Sequence, residues 1–527
     1  MKRFVCLLMF TLLVSLVPAA SASATIYYIA SNGSDSNNGT SKTTPWAHAP
    51  GMTGCTAACA STTPADGDQF VLRAGDTWTS SSLPWNWRWS GSSGNNIVVG
   101  GVDKTWFSGS ALARPIFDGA GSYPGAAAGG FFLQLGSSSY VTVDNIEFKG
   151  LNWSVSLCSN ENAYIAKNGG THVTIQHVYF HGWTHSVGIC EGNDANAVFA
   201  PGSDTTSVAL QIVVDGSDTA RDSFGGIYGG GIGEISQSYF AYLDNGLNGS
   251  CHLLHDNTFY NVGFMPYSNA VSHNNIAESN LDLPGGCIVY NNYVQGPFST
   301  PGGVPIMQVP RAGDTSYAFN NIMVNGGAYG GTALWCGEYF SAGSSGGTCT
   351  WFNNTIEGGS DSDPSQSLFR IGSALSGTVP AAINEYNNHG ITSGAVNAVS
   401  GECSRTCPVT QTTQIVQTLL AANGQGYQMG QRFSFSPTSG GSTIGVGTNE
   451  SSLCATISMV DSAAGLACAQ DTTYGVSYNS SNHTLSFPAR TPLSRPSSGA
   501  WDVGAYQFGP GSQSSVAPPT GLSAVVR

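Results

Sequence analysis

Short runs that alternate apolar and polar residues recur through the middle of the chain, each broken by a polar turn residue before alternation resumes. The runs include Tyr140–Phe148 (YVTVDNIEF), His172–Phe180 (HVTIQHVYF), Gly233–Phe240 (GEISQSYF) and Leu254–Tyr260 (LHDNTFY). Cys287–Val294, Tyr317–Val324, Cys349–Ile356 and Ile383–Ile391 continue the series. The turn position carries Asn145, His177, Gln237, Asn257, Asn292, Asn321, Asn354 and Asn388. Alternation with period two predicts strands, and convincing helical periodicity is nearly absent. Equivalent positions lie roughly 20 to 35 residues apart, longer where loops intervene, which is a solenoid spacing.

A single strand–turn–strand unit cannot bury its apolar face. Stacking one coil on the next buries it continuously. An Asn in each turn can bond its equivalents above and below, and Gly tolerates the left-handed backbone of a corner. The pattern predicts an all-β right-handed parallel β-helix with an N-terminal cap over residues 25–508. Thr25–Ala30 reads as the first strand, and Ala65–Trp78, Ile97–Gly101 and Arg114–Gly119 read as early coils. Arg495–Phe508 closes the body, and residues 509–527 begin as a Gly/Ser/Pro linker.

Several of these stretches carry a family resemblance. Tyr27–Thr40 (YYIASNGSDSNNGT), Pro64–Gly75 (PADGDQFVLRAG) and Arg114–Gly119 (RPIFDG) resemble the opening coils of bacterial pectate-lyase-like right-handed β-helix proteins. The turns and the closing Gly499–Tyr506 (GAWDVGAY) are similar to coil repeats and endings in that superfamily. Ala517–Val526 resembles the first strand of a fibronectin type III module. The resemblance covers nearly all of the chain after its leader. It implies the fold, and a range of activities that spans polysaccharide lyases, glycoside hydrolases and adhesins.

The leader itself is a secretory signal by pattern. Lys2 and Arg3 precede the apolar run Phe4–Val17, and Ala22-Ser23-Ala24 supplies small residues for cleavage, so residues 1–24 are expected to be removed on export. The thirteen cysteines agree with an oxidising compartment. Without Cys6 they fall into near neighbours: Cys55/Cys59, Cys158/Cys190, Cys251/Cys287, Cys336/Cys349, Cys403/Cys407 and Cys454/Cys468. Local pairing is the simplest expectation, although sequence leaves the connectivity open. Only 9% of residues are charged and the formal net charge is -14, with 17 scattered Lys and Arg. That balance argues against nucleic acid, whose phosphates need clustered cations, and against an anionic membrane surface. No membrane insertion is expected after the leader, and the protein is expected to be an extracellular or cell-surface monomer.

Register marks the candidate chemistry. The residue two before each turn Asn is expected to point inward and the residue one before it outward. Glu234 and Asp256 then become diagonal neighbours on an exposed sheet, near the carboxylate spacing of glycosidases. Their plainer reading is as solvated sheet residues. Asp244, His252 and His255 form a second group in which His255 near a carboxylate could act as acid or base. Against that, Asp244 matches a turn position and His255 an inward one. The cluster His172, His177, His181 and His185 lacks an HExxH pattern and reads as structural.

Asp215, Asp218 and Asp222 surround Arg221 in a loop whose carboxylates suit calcium. The lyase resemblance implies that such a calcium neutralises a uronate while Arg221 or Arg311 removes the adjacent proton. The alternative is an Asp-rich surface turn. Trp85, Trp87 and Trp89 share one face of an extended segment, either to stack on sugar rings or to cover the end of the solenoid. The Asn-Thr-Asp, paired Asp, Gly-His-Gly and Arg-Ile-Lys set of polygalacturonases is absent. Two functional classes stand: an enzyme that cleaves an extended polysaccharide, as lyase or hydrolase, and a non-catalytic adhesion or glycan-binding module.

Overall fold

The computed structural model describes residues 24–509 except 124–129, 154–161, 186–195, 218–224, 246, 265–266, 279–285, 296–305, 309, 325–333, 337–345, 359–368, 372–380, 393–408, 430, 432, 474–476 and 487–490. The leader and the fibronectin-like stretch lie outside the described residues. Among the described residues two long sheets, of 19 and 14 strands, and a three-stranded sheet carry the successive coils. From Ile26↔Gln69 to Thr392↔Thr418 the coils pair in parallel. The chain is a parallel β-helix. An antiparallel hairpin, Ser477–Asn479 with Thr484–Ser486, comes from the C-terminal segment.

Register in the larger sheet lines up Asp144, Gln176, Leu210, Ser236, His255, His273, Tyr290, Phe319, Phe352 and Tyr386 in one column. Immediately after that column the chain turns. The turning residues are Asn145, His177, Gln211, Gln237, Asp256, Asn274, Asn291, Asn320, Asn353 and Asn387, all with φ between 51° and 56°. Short polar side chains tolerate this left-handed region better than branched apolar ones do, which explains the dominance of Asn.

The next residue forms the buried ladder. Asn257, Asn275, Asn292, Asn321 and Asn354 each donate Nδ2 to the Oδ1 of the following Asn, ending at Asn388, over 2.9–3.0 Å. Each Oδ1 from Asn275 onward also accepts the backbone N–H of the preceding rung's Asn. Ser238 begins the ladder by giving its N–H to Asn257 Oδ1 at 3.0 Å. The sequence reading merged these two columns, because Asn stands in both. Asn145, His177 and Gln237 are corner residues, whereas Asn257, Asn292, Asn321, Asn354 and Asn388 are ladder residues one step later. The merged register places Val143, Ile175 and Ile235 inward, as they are, but misplaces the side chains leading to each turn from Asn257 onward by one position, and a one-residue slip exchanges inside and outside.

The core is continuous inside the coils. Trp85 and Trp87 are buried in it and Trp89 packs against it, with Trp85 stacked on Phe117 at 5.5 Å and Trp87 edge-on to Phe70 at 5.3 Å. Their indole N–H groups bond Pro50 O and Trp89 O. No ring face of Trp85 or Trp87 is left for a sugar. At the other end the inward column turns polar: Glu385 is fully buried and accepts from Gln411 and Gln414 at 2.6 and 2.5 Å. Burial pushes its carboxyl up to about 7.

Helices α1 (Ala57–Ser61), α2 (Leu419–Gly424), α3 (Ser451–Val460) and α4 (Ser462–Cys468) lie outside the coils' strands. The α3–α4 pair, stapled by Cys454–Cys468, packs with Tyr290, Phe319 and Phe352 on the outer face of the larger sheet. Cys55–Cys59 and Cys336–Cys349 are also bonded. Cys251 and Cys287 are free thiols, against expectation. Cys251 is in register with Asn269 and Asn269 with Gly286. Two rungs of about 4.8 Å therefore separate the two cysteines, beyond the roughly 7 Å that a disulfide spans between Cα atoms. Cys158, Cys190, Cys403 and Cys407 lie outside the described residues.

The ladder generates a direct test. Asn321→Ala leaves the Asn292 amide and backbone N–H without their buried acceptor. It should cost about 2–4 kcal/mol, read as a lower denaturation midpoint.

Candidate functional site

The outer face of the larger sheet is covered by α3–α4 from Tyr290 onward and carries polar side chains on the coils before it. Glu234 sits on the strand Gly225–Ser236, whose Ser236 is in register with His255 on Leu247–His255. His255 in turn faces His273 on Tyr267–His273. Because Leu254 is the core residue, His255 points outward and not inward as expected from sequence. Asp256 is the corner residue directly after it, with φ 55°.

His255 lies between two carboxylates. Its Nε2 is 3.2 Å from Glu234 Oε1 and its Nδ1 is 2.7 Å from Asp256 Oδ2. Glu234 Oε1 also accepts from Ser236 Oγ at 2.6 Å. The expected diagonal pair Glu234 and Asp256 is thus brought together, with an imidazole between its members. Burial opposes the charge on His255, but the hydrogen bonds to Asp256 and Glu234 outweigh it and push the ring up to about 9. The His255 hydrogen bond holds Glu234 below the usual carboxylate range. At neutral pH this is an imidazolium flanked by two carboxylates.

His273 completes the group and was missed in the sequence. It stacks on His255 at 4.8 Å and on Tyr290 at 4.7 Å, and its buried Nδ1 has no hydrogen-bond partner among the described residues. Burial, aided by the charge on His255, drives it down to about 4. The charge of Asp461, between α3 and α4, reaches both His273 and Tyr290. The available signal was the run Ser272-His273-Asn274-Asn275-Ile276, which repeats the Tyr290-Asn291-Asn292 corner one coil earlier.

The remaining candidates separate from this group. Asp244 lies within the strand Tyr239–Asn245 and not at a turn. His252 is exposed on the same strand as His255. Arg311 is an exposed turn residue preceding Thr315–Phe319. Asp215 is buried at the end of Val213–Asp215 and accepts the Ser217 N–H at 2.9 Å, an Asx turn. Asp218, Arg221 and Asp222 lie outside the described residues. Among the described residues no group of three or more His, Cys, Asp or Glu is arranged to hold a metal ion.

Two of the other histidines pair with carboxylates of neighbouring coils. His177 Nδ1 meets Asp144 Oδ1 at 2.7 Å, and His181 Nε2 meets Glu147 Oε1 at 3.0 Å. His181 also stacks on Tyr179 at 4.1 Å, as does His483 of the C-terminal hairpin. These pairs join neighbouring coils to one another.

The His255 arrangement has a pH signature. A ring raised from about 6.5 to about 9 contributes stability that is fully present below pH 6.5 and lost as pH rises through 9. His255→Gln should therefore cost the most stability at pH 6 to 7, about 2 kcal/mol after solvent screening, read as a lower melting temperature. The difference should shrink towards pH 10.

Comparison with known proteins adds distant likenesses. No family model matches the sequence, and no curated protein matches it. Among solved structures, the chain is similar to a GH136 lacto-N-biosidase from Eubacterium ramulus, with 12% identity, TM-score 0.41, and coverage of 75% of this chain and 68% of that one. It is similar to the pectate lyase Pel9A, with 14% identity, TM-score 0.34, and coverage of 93% and 97%. A PL6 family polysaccharide lyase from Pseudopedobacter saltans gives 10% identity, TM-score 0.38, and coverage of 67% and 89%. At such values neither fold nor activity is argued from the likeness. The fold rests on the strand pairing above, and function on the site.

Proposed function

We propose that this protein is an extracellular carbohydrate-active enzyme that hydrolyses a neutral polysaccharide at Glu234, His255 and Asp256. The observation that carries the reading is the His255 ring held between the two carboxylates on the outer face of the sheet. An imidazole and two hydrogen bonds separate the carboxylates.

Roles follow from charge. Asp256 accepts a proton from water as the water oxygen bonds to the anomeric carbon. The glycosidic C–O bond breaks, and its oxygen takes the proton from His255 Nε2 beside Glu234. Asp256 then loses its proton to solvent and His255 regains one. Glu234, held ionised, keeps the imidazolium charged and in place, and so is not the acid that the carboxylate spacing alone suggested. The substrate is read as neutral because two carboxylates against one imidazolium leave the site negative, as is the whole chain at -14.

Elimination from a calcium-bridged uronate is the alternative chemistry, with Asp215, Asp218 and Asp222 as the calcium loop. Asp215 already spends an oxygen on its own turn, which favours hydrolysis. A convergent acid–base group also speaks against the adhesion module, for which an even polar surface would suffice.

The test is a polysaccharide screen with purified protein, with and without a chelator, following reducing ends and unsaturated-product absorbance together. Reducing ends without absorbance, insensitive to chelator, are expected on a neutral glycan. Asp256→Asn and His255→Gln should each cut kcat about 10²- to 10⁴-fold. Chelator-sensitive absorbance would turn the reading to elimination. Silence across the panel with folded protein would turn it to adhesion.

A further inference from the structure

The corner column does two different things along the solenoid. In the later coils its side chains bond several separate pieces of the C-terminal segment, the end of α4 among them. Asn387 bonds Thr448 O at 2.8 Å, and Asn353 bonds Asp502 O at 2.9 Å and Gly504 O at 3.1 Å. Asn320 bonds Ala467 O at 3.1 Å and Gln470 O at 2.9 Å, and Asn274 accepts from Thr473 Oγ1 at 2.6 Å. The C-terminal segment then touches the solenoid again beyond a gap. There His483 stacks on Tyr179 and its carbonyl accepts from Arg114 at 3.3 Å.

The corner residues of the gap are His177, Gln211, Gln237 and Asp256, one on each of four successive coils. Gln211 Nε2 donates to Gln237 Oε1 at 2.7 Å, and Gln211 also bonds His177. Beyond those bonds the two amides meet no side-chain partner among the described residues, and both residues are part-exposed. They stand in the same left-handed geometry as the asparagines that clasp the C-terminal segment.

We propose that Gln211 and Gln237 form a row of subsites for a neutral glycan chain that leads away from Asp256 and ends at His177. The inference rests on the carbohydrate reading of the Glu234–His255–Asp256 site and gives that site its direction. Three features on the same corner support it. The row is continuous with the site through Asp256. Coils repeat every 4.8 Å or so, close to the repeat of one pyranose along an extended glycan. Amides offer both a donor and an acceptor, which matches hydroxyl groups better than it matches anions. The neighbouring asparagines show that side chains at this corner reach out to polar groups laid against it.

The test uses full-length His255→Gln protein, whose turnover is expected to be too slow to consume ligand, and calorimetry with cello-, xylo- and manno-oligosaccharides of two and six sugars. The six-sugar member of one series should bind more tightly than its two-sugar member. Adding Gln211→Ala and Gln237→Ala should weaken six-sugar binding about tenfold and two-sugar binding much less. Gln237→Met replaces the alanine change should that variant lose its melting transition. Equal affinity for both lengths, unchanged affinity after the glutamine substitutions, or no binding of any series would each overturn the subsite row. Hydrolysis by wild type without glutamine dependence would sink the row alone. Glutamine-dependent binding without hydrolysis would sink the catalytic reading and leave the row standing.

Discussion

Every coil must turn between its two sheets without leaving buried peptide groups unpaired, and this constraint organises the molecule. The left-handed corner residue makes the turn, and the ladder residue after it satisfies the peptide groups inside. Asn serves the second role best because one small amide both donates and accepts, so each rung completes the one before it. From Ser238 to Asn388 the requirement is met by side chains stacked on the coil repeat. The earlier coils have Ile146, Val178 and Ile212 at the ladder position and rely on apolar packing instead.

The same constraint builds the candidate site. Once the corner is fixed at Asp256, the preceding His255 must face outward, beside a Glu234 that lies on the neighbouring coil and two residues earlier in register. Nothing about this placement requires a loop, and the group therefore sits on rigid, paired strands. The cost is electrostatic. A partly buried imidazolium is tolerable because two carboxylates hold it, whereas His273, one rung on, has no carboxylate in hydrogen-bonding reach among the described residues and stays neutral. The α3–α4 pair then covers the rest of the column, so the aromatic stack His255–His273–Tyr290–Phe319–Phe352 passes from open surface to buried interface.

The solenoid was legible in the sequence because its signal is repetitive: alternation, turn residue, alternation, many times over. Glu234, His255 and Asp256 were legible as chemistry for the same reason, as charged or titratable residues at repeat positions. Their geometry was not. Asn occupies both corner and ladder, so a reading by residue type aligned Asn145 with Asn257 when its true equivalent is Asp256. That slip turned His255 inward and hid its contact with Glu234. Two coils, Val208–Asp215 and Tyr267–Glu278, went unread because Gln211-Ile212 and His273-Asn274-Asn275 depart from the commoner spelling. His273 was lost with the second. The tryptophans show the limit of side-chain class: alternation found their shared face, but only packing shows that Trp85 and Trp87 turn it inward.

The central claim is that two carboxylates from adjacent coils keep an outward-facing His255 protonated at neutral pH. The most direct measurement is the pH titration of the histidine ring signals by nuclear magnetic resonance, assigned with His255→Gln and repeated in Glu234→Gln and Asp256→Asn. The account predicts a His255 ring that titrates near 9 and moves towards 6.5 when either carboxylate is removed. A His255 ring that titrates near 6.5 in the unaltered protein, or is unmoved by both substitutions, would contradict it.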